Sequence, residues 1–265
     1  MAQIINPQTP SISVMLPTFN EALNICELLT RTYALLRPQD EILVIDDNSP
    51  DQTAKIAQSF SQDKPNIKII CRKNNRGLTA SLRDGIKECK NEIIIWLDAD
   101  LSQPPEHIPL LINELIEKKG RIVVASRYVN GGEDVRGNSG LPLIKFQVFL
   151  SNTLRNLAKF ILTDKFNDWS SGYICLYKKT LENLSPLEGA HGEYFIPLIY
   201  QAIIQGQKVL EFPYTLTPRQ KGESKTGTSF LGMCKTGTQY LLLLLKTRWR
   251  FCHYRSTSAS ACIKE

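Results

Sequence analysis

Short apolar runs and longer amphipathic stretches take turns along the first half of this chain. Runs rich in Ile, Val and Leu at 12–16, 41–45, 66–71, 92–97 and 121–126 predict strands, and 21–36, 53–60, 78–89 and 105–116 predict helices between them. That alternation predicts an α/β fold, a mostly parallel sheet with helices on both faces. Polar connections such as Asn48-Ser49-Pro50-Asp51 and Asn74-Asn75-Arg76-Gly77 fit loops at its edge. Beyond Ser126 the pattern loosens: 130–140 reads as a flexible loop, 143–162 and 194–205 as helices, 172–177 and 208–216 as strands. A last helix is predicted over 230–251, where a leucine run meets Lys246, Arg248, Trp249 and Arg250. The expected division is one domain over 8–228, then a basic amphipathic helix and tail over 229–265.

The polar residues that end these strands hold the candidate chemistry. The run at 92–97 stops abruptly in Asp98-Ala99-Asp100. Side chains two apart in extended backbone project to the same side, so both carboxylates face one spot at the strand's carboxyl end, where open α/β sheets bind ligands. Two hard oxygen donors suit Mg²⁺ or Mn²⁺, with substrate phosphates completing the shell; a solvated acidic turn is the plainer alternative. Pro17-Thr18-Phe19-Asn20-Glu21, Asp46-Asp47-Asn48-Ser49-Pro50-Asp51, Ser126-Arg127-Tyr128 and Arg219-Gln220-Lys221-Gly222-Glu223-Ser224-Lys225 stand at other strand ends. Five polar clusters on one edge can assemble a nucleotide: Asp46 or Asp47 on a base or ribose hydroxyl, Phe19 as a flat face, a metal at Asp98 and Asp100 on a diphosphate. No Gly-x-Gly-x-x-Gly follows the first strand and no Gly-x-x-x-x-Gly-Lys-Ser/Thr occurs, which argues against dinucleotide-fold and P-loop chemistry.

Charge and cysteine usage narrow the classes. From Arg219 onward nine basic side chains face only Glu223 and Glu265, a surplus of seven in a chain of net charge +6, so the basicity belongs to the tail. A partner with clustered negative charge follows, and leucines beside Arg, Lys and Trp fit a membrane interface better than a nucleic-acid backbone. Seven scattered cysteines without Cys-x-x-Cys, and three distant histidines, argue against a disulfide framework or zinc site. No signal peptide and no apolar run of the ~20 residues needed to span a bilayer is visible. The expectation is a cytoplasmic, non-secreted protein, peripheral on the cytoplasmic face of a membrane.

Together these segments resemble the family 2 glycosyltransferases of GT-A fold, and within them the polyprenol-phosphate sugar synthases. The resemblance is carried in order by Pro17 to Glu21, Val44 to Asp51, Arg76-Gly77-Leu78, Asp98 to Ser102, Ser126-Arg127-Tyr128, Ser171-Gly172-Tyr173, and Arg219 through Lys225, over about residues 12–226. It implies that Pro17, Phe19, Glu21, Ile45, Asp46, Asp47, Asp98 and Ala99 hold the nucleotide and that Asp98 and Asp100 hold the metal. Arg127, Arg219 and Lys225 would contact donor and acceptor phosphates and, with Asp100, form the catalytic set. Phe19 stands where the family often has Tyr, and Ile174 where it often has Arg. Asp168 reads as a turn acid.

The implied reaction is metal-dependent transfer of a sugar, with inversion, from a nucleotide sugar to a polyprenyl (dolichyl-type) phosphate. Mannose from GDP-mannose is the leading expectation. UDP-glucose or another donor, a non-lipid glycan acceptor, and a non-catalytic nucleotide-sugar-binding module are the alternatives. A small membrane-anchoring partner is expected because nothing here spans a bilayer, and no nucleic-acid partner is.

Overall fold

The structure, a computed structural model, describes residues 5–222 and 230–252. Its strands are β1 (Ile12–Thr18), β2 (Glu41–Asp46), β3 (Ile67–Cys71), β4 (Ile93–Trp96), β5 (Ile122–Ser126), β6 (Glu133–Asp134), β7 (Ile174–Tyr177), β8 (Val209–Pro213) and β9 (Thr215–Leu216). Its α-helices are α1 (Ile25–Tyr33), α2 (Thr53–Phe60), α3 (Leu78–Glu88), α4 (Ile108–Glu117), α5 (Pro142–Ile161), α6 (Lys178–Glu182), α7 (Phe195–Ile204) and α8 (Phe230–Arg250). Seven strands form one sheet in the order β3-β2-β1-β4-β7-β5-β8. All neighbours are parallel except β7, which runs antiparallel between β4 and β5.

Both faces of the sheet are covered, and the strand pleat divides the apolar residues between them. Val14, Leu16, Ile42, Val44, Ile93 and Ile95 pack on one side with Ile25, Leu28 and Leu29 of α1 and Leu111, Ile112 and Leu115 of α4. Met15, Leu43, Ile45, Ile94 and Trp96 pack on the other with Leu82 of α3, Ala158 of α5, Phe195 and Ile199 of α7 and Leu244 of α8. This is why the central strands read as continuous apolar runs rather than alternating ones. Each fully buried Leu, Ile or Val contributes about 1.5–3 kcal/mol of transfer free energy, so the sheet is held from both sides.

Several expected boundaries move. The helix expected at 21–36 begins only at Ile25, because Asn20 sits at φ 55° and residues 21–24 form a turn closed by the Asn24 and Ile25 amides on the Glu21 carbonyl. The single strand expected at 208–216 is two strands in different sheets, with Tyr214 between β8 and β9. The segment expected to be a flexible loop, 130–140, is folded: β6 pairs in parallel with β9, and Val135–Ser139 forms a 3-10 turn capped by Asp134. Pairing between segments so distant in the sequence leaves no periodic signal in so short a stretch. The boundary expected after 228 falls outside the described residues. From 230 onward, α8 packs against α5 and α7, with Leu244 and Thr247 buried.

Candidate active site

The ends of β1, β2 and β4 make the site's floor. The turn after β1 is stitched to the one after β2: the Asn20, Glu21 and Ala22 amides donate to Ser49 Oγ, Thr53 Oγ1 and Asp51 Oδ2 at 2.9–3.0 Å. Asp46 Oδ1 accepts from Thr18 Oγ1 (3.0 Å) and Ser49 Oγ (2.6 Å), and its Oδ2 accepts from the Ser49 amide (2.8 Å). Asp47 Oδ1 accepts from Arg72 Nη1 and Ser81 Oγ, and its Oδ2 from the Gly77 amide at 2.7 Å. A carboxylate offers about four acceptor positions; the bonds described account for three on each of these two residues, and both are buried. Gly77 is required where it stands: its φ is +137°, and a Cβ there would lie 2.6 Å from the Ala190 carbonyl oxygen. Phe19 is half-buried beside the Arg76 guanidinium, 5.6 Å from the ring centre, and Pro17, at the end of β1, is half-buried too.

At the end of β4, Gln103 grips the turn. Its Oε1 accepts from the Asp98 amide (2.8 Å), and its Nε2 donates to Asp98 Oδ2 (3.3 Å) and the Ser171 carbonyl (3.0 Å). Asp100 Oδ1 accepts from the Ser102 amide at 3.0 Å. Asp98 is solvent-accessible yet densely surrounded by protein, the situation of a group on the floor of an open cleft. That crowding, with the like charges of Asp100 and Glu21, pushes its carboxyl up to about 7. Water reaching the cleft weakens the desolvation part, but both neighbouring carboxylates act in the same direction. Ile45 and Ala99, expected among the nucleotide contacts, turn their side chains into the core and offer only backbone.

The expected phosphate-binding cations fall in different places. Arg219 lies across the site: Nη2 pairs with Glu21 Oε2, Nη1 lies 3.4 Å from Asp100 Oδ2, and Nε donates to the Lys221 carbonyl at 2.8 Å. Arg127 is buried on Asp168. Its amide and Nε donate to Asp168 Oδ2 at 2.9 and 2.8 Å, and Nη2 donates to Asp168 Oδ1 and to Ser170 Oγ (2.7 Å). Burial opposes its charge, but Asp168 outweighs that and holds the guanidinium protonated. A direct phosphate contact by Arg127 requires it to give up some of these bonds. Asp168 is in turn fixed by β8, where Glu211 Oε1 accepts from the Asp168 amide (3.0 Å) and Ser126 Oγ (2.7 Å). Lys225 lies outside the described residues.

Sequence reasoning missed Arg136. It is held by Asp134 through Nε (2.8 Å) and Nη2 (2.6 Å), and its charge acts on Asp98. It sits in the segment read as featureless loop, so only its charge could have drawn attention. Gln103 and Asn24 carried no signal either, since amide side chains are common in turns; Asn24 Nδ2 donates to Glu21 Oε2 (2.9 Å) and the Lys221 carbonyl (3.1 Å).

Among the described residues, no three acidic, histidine or cysteine side chains converge as a complete metal cage. The donor set nevertheless fits Mg²⁺ or Mn²⁺, which are commonly held by one or two carboxylates with water and substrate phosphates supplying the rest. A cation already stands there in the form of the Arg219 guanidinium, paired with Glu21 and Asp100.

Comparisons with known proteins agree with this architecture. The family model described as glycosyl transferase family 2 matches residues 13–175. A dolichol-phosphate mannosyltransferase of Pyrococcus furiosus is 35% identical over 219 residues, 81% of this chain and 58% of that protein, so this chain spans little more than half of it. The dolichol-phosphate mannosyltransferase of Saccharomyces cerevisiae is 31% identical, covering 80% of each chain. Polyprenol monophosphomannose synthase of Mycolicibacterium smegmatis is 31% identical over 82% of this chain and 81% of its own. In fold, the chain matches glucosyl-3-phosphoglycerate synthase of Mycobacterium tuberculosis, crystallised with Mn²⁺ and UDP, at TM-score 0.67 and 17% identity, over 90% of this chain and 80% of that one. With a GT-A fold, acidic residues at the ends of β1, β2 and β4, and these relatives, the chain belongs to glycosyl transferase family 2 and is a glycosyltransferase related to the dolichol- and polyprenol-phosphate mannosyltransferases.

Proposed function

We propose that this enzyme transfers a sugar, mannose from GDP-mannose, to the phosphate of a polyprenyl lipid with the help of Mg²⁺ or Mn²⁺. The observation that carries the reading is the meeting of Glu21 and Asp100 with Arg219, beside Asp98, at one sheet edge. Carboxylates beside arginines suit a reaction between two phosphate-bearing substrates, and the relatives named as lipid-phosphate mannosyltransferases supply the acceptor and sugar class.

On this reading Phe19 and Pro17 flank the base, and Asp46 and Asp47 take hydrogen bonds from base and ribose. Asp98 and Asp100 hold the metal, which when bound supplies positive charge to the donor's diphosphate. The acceptor phosphate, with a second pKa near ~6, is already largely a dianion at neutral pH, so no side chain has to remove a proton. Its oxygen attacks the anomeric carbon as the bond to the nucleoside diphosphate breaks, and the configuration inverts. Arg219, Arg136 and Lys225 offset the repulsion between two anions, and guanidinium forks suit phosphate geometry. Arg127 acts mainly through its grip on Asp168, keeping the β5 end in place.

The lipid reading has a second support. No described helix is long and apolar enough to cross a membrane, but α5 and α8 pack together and both expose large apolar side chains. Leu242, Leu245 and Trp249 are 66%, 51% and 78% exposed at a helical spacing that makes one stripe, next to Lys246 and Arg250. Phe149 and Phe160 on α5, 62% and 90% exposed, stand three turns apart on one face. We read these helices as lying in a membrane interface, on the cytoplasmic side, with a membrane-anchoring partner as a further expectation.

The test mixes the purified protein, Mn²⁺ and a short polyprenyl phosphate with radiolabelled GDP-mannose, UDP-glucose and UDP-N-acetylglucosamine in parallel. Label entering the organic phase from GDP-mannose is the expected result. Label from a uridine donor replaces the sugar assignment, and donor hydrolysis without lipid label removes the lipid acceptor.

A further inference from the structure

The segment 217–222 crosses the site like a strap. At one end the Thr217 amide donates to the Ser102 carbonyl at 3.2 Å, just past the Asp98–Asp100 turn. At the other, the Lys221 carbonyl accepts from Asn24 Nδ2, and Lys221 Nζ lies 4.0 Å from Glu27 Oε2 on α1. Between these anchors Arg219 spends all three guanidinium nitrogens on the protein: Nη1 on Asp100, Nη2 on Glu21 and Nε on its own strap. The residue expected to grip a phosphate is therefore engaged with the protein itself, and its partner Asp100 is one of the two residues proposed to hold the metal.

We propose that Arg219 is a tethered counter-ion: it neutralises Asp100 and Glu21 while the site is empty and is released toward a substrate phosphate when a divalent cation takes Asp100. This rests on the reading that Asp98 and Asp100 hold a metal. The physical basis is charge balance. Arg219 pairs with both Glu21 and Asp100, and Asp98 adds a third carboxylate to the same turn. A divalent ion brought to the same oxygens supplies two charges and repels the guanidinium, while an incoming phosphate offers it a better fork-shaped partner. Among the described residues the strap's other anchors are the Thr217 amide and hydroxyl on the Ser102 carbonyl, one amide contact and a loose ion pair, none of them a close ion pair like that of Arg219. Metal binding and acceptor-phosphate binding then assist each other, and the acceptor is not gripped before the donor side is occupied.

The test measures Mn²⁺ binding by electron paramagnetic resonance, without nucleotide, for the wild-type chain, Arg219→Gln, Arg219→Lys and Asp100→Asn. Backbone hydrogen exchange of 217–222 is followed in the wild type with and without Mn²⁺, and circular dichroism verifies folding. Arg219→Gln is expected to bind Mn²⁺ about tenfold more tightly than wild type, within the usual range of coupling between sites. Arg219→Lys, which keeps the charge but cannot bridge two carboxylates, is expected to lie between. Mn²⁺ alone is expected to speed exchange at Thr217 and its neighbours. Equal or weaker Mn²⁺ binding by Arg219→Gln overturns the proposal, as does unchanged exchange in a wild-type protein that binds Mn²⁺; in both cases the metal reading stands. Mn²⁺ binding by neither protein overturns both, and wild-type affinity in Asp100→Asn overturns the metal reading and this proposal with it.

Discussion

Asp98 sits among Asp100, Glu21 and a crowded cleft wall, and its carboxyl titrates near 7 rather than near its ordinary value of about 3.8. A raised folded-state value means that the charged form is less favourable in the folded protein than in the unfolded chain. At pH 8 the group therefore subtracts stability, and the penalty fades as pH falls through 7. Asp98→Asn is expected to stabilise the metal-free protein by about 1 kcal/mol at pH 8, after discounting for solvent in the open cleft. The gain is expected to be smaller at pH 5, and the variant to match wild type only below the ordinary carboxyl value of about 3.8. Urea unfolding at the two pH values checks this, and the same variant is expected to lose sugar transfer. Asp168 is the opposite case, fully buried and paired on both oxygens with Arg127. Asp168→Ala leaves the buried Arg127 guanidinium with the Asp134 carboxylate, 3.5 Å from Nη1, as its remaining described ion-pair partner and is expected to cost about 3 kcal/mol, read as a lowered denaturant midpoint. The two aspartates look alike in sequence, since burial and partner are tertiary facts.

At the scale of elements, α8 carries two instructions on one helix. Leu244 is buried against α5 and α7, whereas Leu242 and Trp249 are exposed. Leu244→Ala is expected to cost about 2–5 kcal/mol through lost burial and a cavity. The double change Leu242→Gln and Trp249→Gln is expected to leave the melting temperature unchanged and to weaken sedimentation with anionic vesicles severalfold. The leucine run announced an amphipathic helix correctly, but not which leucines face inward. Legibility elsewhere followed the same line. The first five strands and their helices were readable to within a few residues, because a parallel sheet covered on both faces writes each strand as an apolar run. The β6–β9 pair was not readable: two-residue strands paired from distant parts of the chain carry no period.

Across the whole molecule, the two apolar cores on either side of the sheet account for the fold without a metal. Removing divalent cations with a chelator is expected to abolish transfer, restored by Mn²⁺, with the circular dichroism spectrum unchanged; loss of the spectrum would place the metal in the fold rather than in the reaction. The sequence by itself determined the α/β alternation, the acidic and basic residues at strand ends and the basic C-terminal helix, because these are local patterns of period and charge. Only the tertiary structure decided what those residues are bonded to. Arg219, read as a phosphate ligand, is folded back on Glu21 and Asp100; Arg127 is buried on Asp168; Ile45 and Ala99 face the core; and Arg136 is held by Asp134 in a stretch without pattern. The physical reason is that strand ends are set by local hydrogen bonding and burial. The partner of a charged side chain depends on which distant segments the sheet order brings within about 3–4 Å of it.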